Sequence, residues 1–200
     1  MRHDVESTGS RRQLLARAAF VAAAAGGVGA LGGLAADSAE SAGSPAQDIR
    51  ILHFLLHLEY LQQRLYSEAL AAGNLTGELE RFARESEGHE REHVSYLREL
   101  LGGRARERPP FRFGDALTRE GRFAAAALTL EETAVSAYIG QAANLTPARR
   151  VAVARIVSVE ARHAAWIRDF VGRLPAPYAA DRAKTARATM ETIERTGFGS

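Results

Sequence analysis

Glu90 and His93 stand three residues apart, as do Glu160 and His163, and the two Glu-x-x-His units are offset by 70 residues. The match extends through the segments HEREHVSYLREL and VEARHAAWIRDF, where Tyr96 answers Trp166 and Arg98 answers Arg168. It also reaches upstream, where Asn74-Leu75-Thr76 returns as Asn144-Leu145-Thr146. Before each of those turns lies another pair: Leu58-Glu59 with Tyr66, and Leu130-Glu131 with Tyr138. The chain thus duplicates a helical hairpin, each copy presenting one Glu and then one Glu-x-x-His. Four carboxylates and two imidazoles are the donor set of a two-ion site in a helix bundle. Residues three apart are neighbours on one side of a helix, so the Glu and His of each unit can reach one ion. One such unit in 200 residues is expected about once by chance. Two at equivalent points of a repeat, each matched to a Glu on its partner helix, are far more specific.

Four apolar-periodic segments must position these groups. They run over about 48–72, with Asp48 as N-cap, then 76–101, 115–143 and 146–172. Thr146-Pro147 opens the fourth as a cap followed by proline at the first helical position. Loops within each hairpin are short, whereas the connection over 102–114, with Pro109-Pro110, is long and lacks helical pattern. A further short helix is expected over 180–194. At about 100° per residue, Glu59, Glu90, His93, Glu131, Glu160 and His163 all fall on apolar faces. Four ionised glutamates in an apolar interior would each cost several kcal/mol. Two divalent cations balance that charge.

Composition bounds the rest. There is no cysteine, which excludes disulfides, thiolate metal sites and a lipoprotein anchor. Net charge is +2, and that excess lies in residues 1–36, so nucleic-acid binding has no electrostatic support. Ser10-Arg11-Arg12-Gln13-Leu14-Leu15, followed by an uncharged Ala- and Gly-rich run to Ala36, resembles a twin-arginine export signal. Ala16 stands where such signals usually carry a basic residue. Residues 1–36 are read as the signal, 37–48 as a linker, 49–173 as the bundle and 174–200 as a C-terminal extension. The signal implies the twin-arginine translocase as partner and a periplasmic or extracellular destination; retention of the segment as an anchor is the alternative. Because this route carries folded proteins, it suits a chain that acquires metal before export.

The segments LEYLQQRLY, HEREHVSYL, LEETAVSAYIGQAA and VEARHAAWIRDF resemble the ferritin-like superfamily of di-iron and di-manganese carboxylate proteins. The likeness covers about 51–172 and is nearest to exported ferritin-like domain proteins, including the desiccation-related group. It implies an all-α, ferritin-like four-helix bundle of two repeated hairpins with a long crossover, plus a short C-terminal helix. It also implies that Glu59, Glu90, His93, Glu131, Glu160 and His163 are metal ligands, with Glu90 and Glu160 bridging and Glu59 and Glu131 terminal. Two iron ions are the first expectation and two manganese ions the second. Rubrerythrin-like members carry an Asp before the Glu of the second unit, where it orients a ligand histidine. This chain has Val159 there and His89 at the equivalent first position.

Three functional classes follow from these residues. The first is a di-metal oxidoreductase acting on peroxide or dioxygen, as a ferroxidase, a peroxidase or a manganese catalase. The second is an exported stress or desiccation-related bundle whose metal is structural or lost, and the third a metal-free interaction module. Homo-oligomerisation is compatible with each. Tyr66 and Tyr138, two turns beyond Glu59 and Glu131, are either donors beside the ligands or core aromatics. His53 and His57 are rotated roughly 120° and 160° from Glu59 and read as surface or interface histidines. Glu132 lies on a poorer face than Glu131, Arg98 and Arg168 read as hairpin-pairing or surface salt-bridge residues, and Thr76 and Thr146 read as helix caps.

Overall fold

Ser44 and Pro45 set the start of the first helix. Ser44 is extended, its side chain accepts from the backbone N–H of Gln47, and Pro45 occupies the first turn. Helix α1 (Pro45–Ala72) therefore starts ahead of Asp48, the residue expected to cap it. It stops at Gly73, whose φ of 67° is left-handed and free of penalty only for glycine. The computed structural model describes residues 43–199; residues 1–36, expected from the sequence to be a signal, and residues 37–42 of the expected linker lie outside the described residues.

The other helices are α2 (Gly77–Leu101), α3 (Glu120–Ala142), α4 (Pro147–Phe170) and α5 (Ala186–Thr196). Helix was expected from about residue 115, but Gly114–Leu117 forms a short 3-10 turn and Arg119 is extended, so α3 begins at Glu120. That turn buries Phe113 and Ala116 in the core, and the Phe113 ring meets Phe198 edge-on. The terminal helix starts later than expected, after Thr185, whose side chain accepts from the N–H of Ala188.

Helices α1 and α2 pair as one hairpin and α3 and α4 as the other, with α1 packed on α3 and α2 on α4. Contacts along the α1–α3 seam run in opposite chain order. Asp48 meets Thr146, Glu59 meets Tyr138, Tyr66 meets Glu131, and Thr76 meets Glu120. The seam is therefore antiparallel. The α2–α4 seam is antiparallel too, from Glu78 with Trp166 to His93 with Glu160. With both hairpins antiparallel as well, the chain leaving α2 must travel the length of the bundle before α3 begins. This is the one-crossover topology expected from the long connection.

Thr76 and Thr146 stand at the N-cap positions of α2 and α4, as expected, but their hydroxyls do not cap their own helices. Each hydroxyl and its backbone N–H bond a carboxylate across the bundle: Glu120 for Thr76, Asp48 for Thr146. The C-terminal segment is held by the N–H of Lys184, which donates to the Ser136 carbonyl at 2.9 Å. Gly140 makes that approach feasible, since a Cβ there would lie 1.9 Å from the Lys184 carbonyl oxygen. No described helix is long and apolar enough to cross a membrane.

Candidate metal centre

Each bundle helix contributes to one buried polar cluster at mid-length. Helix α1 supplies Glu59, α2 supplies Glu90 and His93, α3 supplies Glu131, and α4 supplies Glu160 and His163. All four glutamates are 0% exposed, and the histidines are 8% and 3% exposed. The apolar faces read from the sequence thus do point inward, and they bring all six residues together.

The cluster divides into two overlapping groups: Glu59, Glu90, His93 and Glu160, and Glu90, Glu131, Glu160 and His163. Within each, one potential ligand atom per residue lies within 4.8 Å of all the others. Ligand atoms about 2.1 Å from a small divalent ion can be up to about 4.2 Å apart, so shifts of tenths of an ångström would close either group. Glu59 Oε2 lies 3.1 Å from His93 Nδ1, and Glu131 Oε2 lies 3.6 Å from His163 Nδ1. Glu90 spans both sides, with Oε2 3.1 Å from His93 Nδ1 and Oε1 3.2 Å from His163 Nδ1. Glu160 presents a single oxygen, Oε1, 3.1 Å from His93 Nδ1 and 4.0 Å from His163 Nδ1. Its Oε2 accepts from Gln62 Nε2 at 3.0 Å.

The tyrosines cross between hairpins. Tyr66 on α1 donates to Glu131 on α3, and Tyr138 on α3 donates to Glu59 on α1. Burial, then the charges of Glu131 and Glu59 respectively, hold both phenols well above the ordinary tyrosine range. They therefore remain donors at any physiological pH. Both are buried, and Phe82 and Phe123 pack edge-on against Tyr66.

Without an ion, protons must offset the carboxylate charge. Burial and then the Glu90 charge push Glu59 up to about 8. Burial, then Glu59 and Glu131, push Glu160 up to about 7. Burial disfavours the charged form of His163, but Glu131 and then Glu90 outweigh it and raise the imidazole to about 11. For His93 burial is outweighed by the close carboxylates of Glu160, Glu59 and Glu90, so it too rises well above the ordinary range. Even so, Glu90 Oε1, Glu131 Oε2, Glu160 Oε1 and His163 Nδ1 are buried without a hydrogen-bond partner. Buried polar atoms are rarely left that way unless a ligand completes them. Their convergence fits cations bound by oxygen and imidazole nitrogen.

Three neighbours of the cluster were missed in the sequence as contacts. Gln62 lies one turn beyond Glu59 and Ser86 one turn before Glu90, and both are buried. His89, noted only as the first-unit counterpart of Val159, places its Nδ1 2.9 Å from His163 Nε2. Helical spacing from the ligand candidates could have flagged the first two.

The other residues weighed in the sequence lie elsewhere. His53 and His57 line a separate cavity of about 260 Å³ with Tyr60 and Arg106, and His57 meets Phe111 edge-on. Glu132 pairs with Arg168 at 2.8 Å within the second hairpin. Arg98 donates to the Tyr60 hydroxyl at 2.6 Å and the Arg106 carbonyl at 3.2 Å, fastening the crossover to α1.

Two antiparallel hairpins, a lengthwise crossover and a buried Glu/His cluster able to hold metal define a ferritin-like bundle. A family model described as the ferritin-like domain matches residues 47–173, and the chain belongs to that family. No curated protein matches the chain.

Proposed function

We propose that the cluster is a two-ion carboxylate centre, iron being the first choice and manganese the second. Carboxylate and imidazole donors do not discriminate strongly between the two. Glu59 with His93 would hold one ion and Glu131 with His163 the other, with Glu90 and Glu160 within reach of both. The observation that carries this reading is the convergence of partnerless buried ligand atoms from α2, α3 and α4, with Glu59 of α1 completing the cluster. A bound ferrous pair would supply the two electrons that, with two protons, reduce hydrogen peroxide to two waters. The chain's own part is to hold four carboxylates at fixed spacing, to keep the Tyr66 and Tyr138 hydroxyls donating to Glu131 and Glu59, and to exclude bulk water. The function is then ferrous oxidation by peroxide or dioxygen, or peroxide removal as protection against oxidative stress. The motif at residues 10–15 supports export of the folded, loaded protein by the twin-arginine translocase.

Elemental analysis of protein purified without added metal tests this. About two iron or manganese ions per chain are expected. No bound metal, with no uptake of anaerobic Fe(II), would sink the reading. Complete burial of the glutamates favours one other role, a structural metal in a stress or desiccation-related bundle. In that case metal raises the melting temperature, but the loaded protein consumes neither peroxide nor Fe(II).

A further inference from the structure

The two Glu-x-x-His units are equivalent in sequence but not in what stands behind them. His163 directs Nδ1 at Glu90 and Glu131, and its Nε2 meets His89 Nδ1 at 2.9 Å. The two rings are within 10° of parallel with centroids 5.1 Å apart, so they meet edge to edge through these nitrogens. A neutral imidazole carries one N–H. For Nδ1 of His163 to bind an ion, the proton must sit on Nε2, where His89 Nδ1 accepts it. His89 thereby selects the ligating tautomer and fixes the ring plane.

His93 directs its own Nδ1 at Glu59, Glu90 and Glu160. Among the described residues no hydrogen-bond partner meets its Nε2. The residue equivalent to His89 is Val159, whose side chain has no acceptor. Gln62 is a second support without a repeat counterpart, although the Glu160 oxygen it leaves free lies nearer His93 than His163. It bonds Glu160 Oε2 at 3.0 Å, and Ala134 holds the equivalent position. Both outer supports thus act on the α4 unit, while no counterpart of either stands behind the α2 unit.

We infer that His89 is a positioning residue that makes the ion position beside His163 the tighter of two, so that the pair fills in a set order. This rests on the two-ion reading above. The residue is exposed, so its replacement leaves the core intact.

Anaerobic Co(II) titration of the full chain, followed by the visible ligand-field bands, reads the two steps directly. The unmodified protein should bind in two resolved steps, the first roughly 10–100-fold tighter, the range associated with an outer hydrogen bond to a ligand. His89→Ala should weaken the first step by that factor until the two merge. His89→Asn, whose amide oxygen takes the place of Nδ1, should restore the separation. His163→Gln should remove the tight step and His93→Gln the weak one. Two equal steps in the unmodified protein, or an unchanged separation in His89→Ala, overturn the inference while leaving two ions bound. Absence of any Co(II) binding overturns the two-ion reading along with it.

Discussion

On the His93 side of the cluster, Glu59, Glu90 and Glu160 all approach one imidazole nitrogen at 3.1 Å. On the His163 side the corresponding approaches are 3.2, 3.6 and 4.0 Å, from Glu90, Glu131 and Glu160. The first half is drawn together through its carboxylates. The second is looser at the centre but is held from behind by His89 on His163, while Gln62 fixes Glu160, which faces both. Duplication therefore preserved the groups that meet at the centre and let their supports diverge. Under the two-ion proposal, halves with the same donors need not bind with the same affinity.

The two central carboxylates offer the strongest way to break that comparison. Glu90 gives one oxygen to each half, whereas Glu160 has only Oε1 to share. Glu90→Ala should abolish binding of both ions, weakening uptake by more than the roughly 100-fold upper range for losing an outer partner. Glu160→Ala should be milder and should spare the His163 side more, since Oε1 is 4.0 Å from that ring and 3.1 Å from His93. Metal-to-protein ratios after anaerobic loading would decide it. Equal loss in the two variants would mean that Glu160 turns both oxygens inward once metal binds.

Acidity separates the metal-free and loaded forms. Glu59 and Glu160 are raised to about 8 and about 7, and His163 to about 11, each above its ordinary value. The folded metal-free state thus binds these protons more tightly than the unfolded chain. The carboxyl contribution is fully present below about pH 4.5 and is lost as pH rises through 7 to 8. That of His163 is fully present below about 6.5 and is lost towards 11. Each pKa unit corresponds to about 1.4 kcal/mol. Chelator-treated protein should therefore melt progressively lower between about pH 5 and pH 9, by an amount worth several kcal/mol. Metal binding displaces those protons, so affinity should rise over the same window. Melting curves at several pH values, with and without Mn(II), provide the check. A metal-free protein that gains stability toward alkaline pH would contradict this account of the cluster.

How much of this was legible in the sequence depends on whether a feature repeats. The six cluster residues and the hairpin duplication could be read because two copies, offset by 70 residues in one helix pair and 72 in the other, reveal what either alone would hide, and the crossover could be read from its length and prolines. The tyrosine contacts were half-legible: their position two turns beyond a Glu was visible, but not that each phenol serves the other hairpin. His89 was visible only as a departure, since its bond to His163 joins helices distant in the chain. Asp48 was misassigned for a physical reason. An Asp near a helix start fits an N-cap, yet Ser44 and Pro45 already satisfy that end, which frees Asp48 to bond Thr146.

The tyrosines test whether the halves remain equivalent where the supports are symmetric. Tyr66→Phe and Tyr138→Phe each remove a hydroxyl donating to a buried carboxylate. Hydrogen bonds to charged groups are worth about 1.5–3 kcal/mol, so both variants should lose roughly that in the loaded protein. The two losses should agree closely, in contrast to the metal-affinity effects of His89. Denaturant titrations of the two variants would show it. A large difference would extend the imbalance of the halves inward to the carboxylates.

The smallest effect sits at the bundle ends, where the same device occurs twice in different surroundings. Asp48 bonds the N–H and hydroxyl of Thr146 at 2.9 and 2.6 Å, and Glu120 bonds those of Thr76 at 2.7 Å each. Each satisfies a free N–H ahead of a helix and places negative charge at its positive end. Asp48 is 5% exposed, whereas the contacts of Glu120 lie open to water. Water can replace Glu120 but reaches the Thr146 site poorly, so Asp48→Ala should cost about 2 kcal/mol and Glu120→Ala about 0.5–1 kcal/mol. Thermal melts of the metal-free variants suffice to rank them. Equal losses would mean that the charge at the helix start outweighs burial, because only the charge is common to both ends.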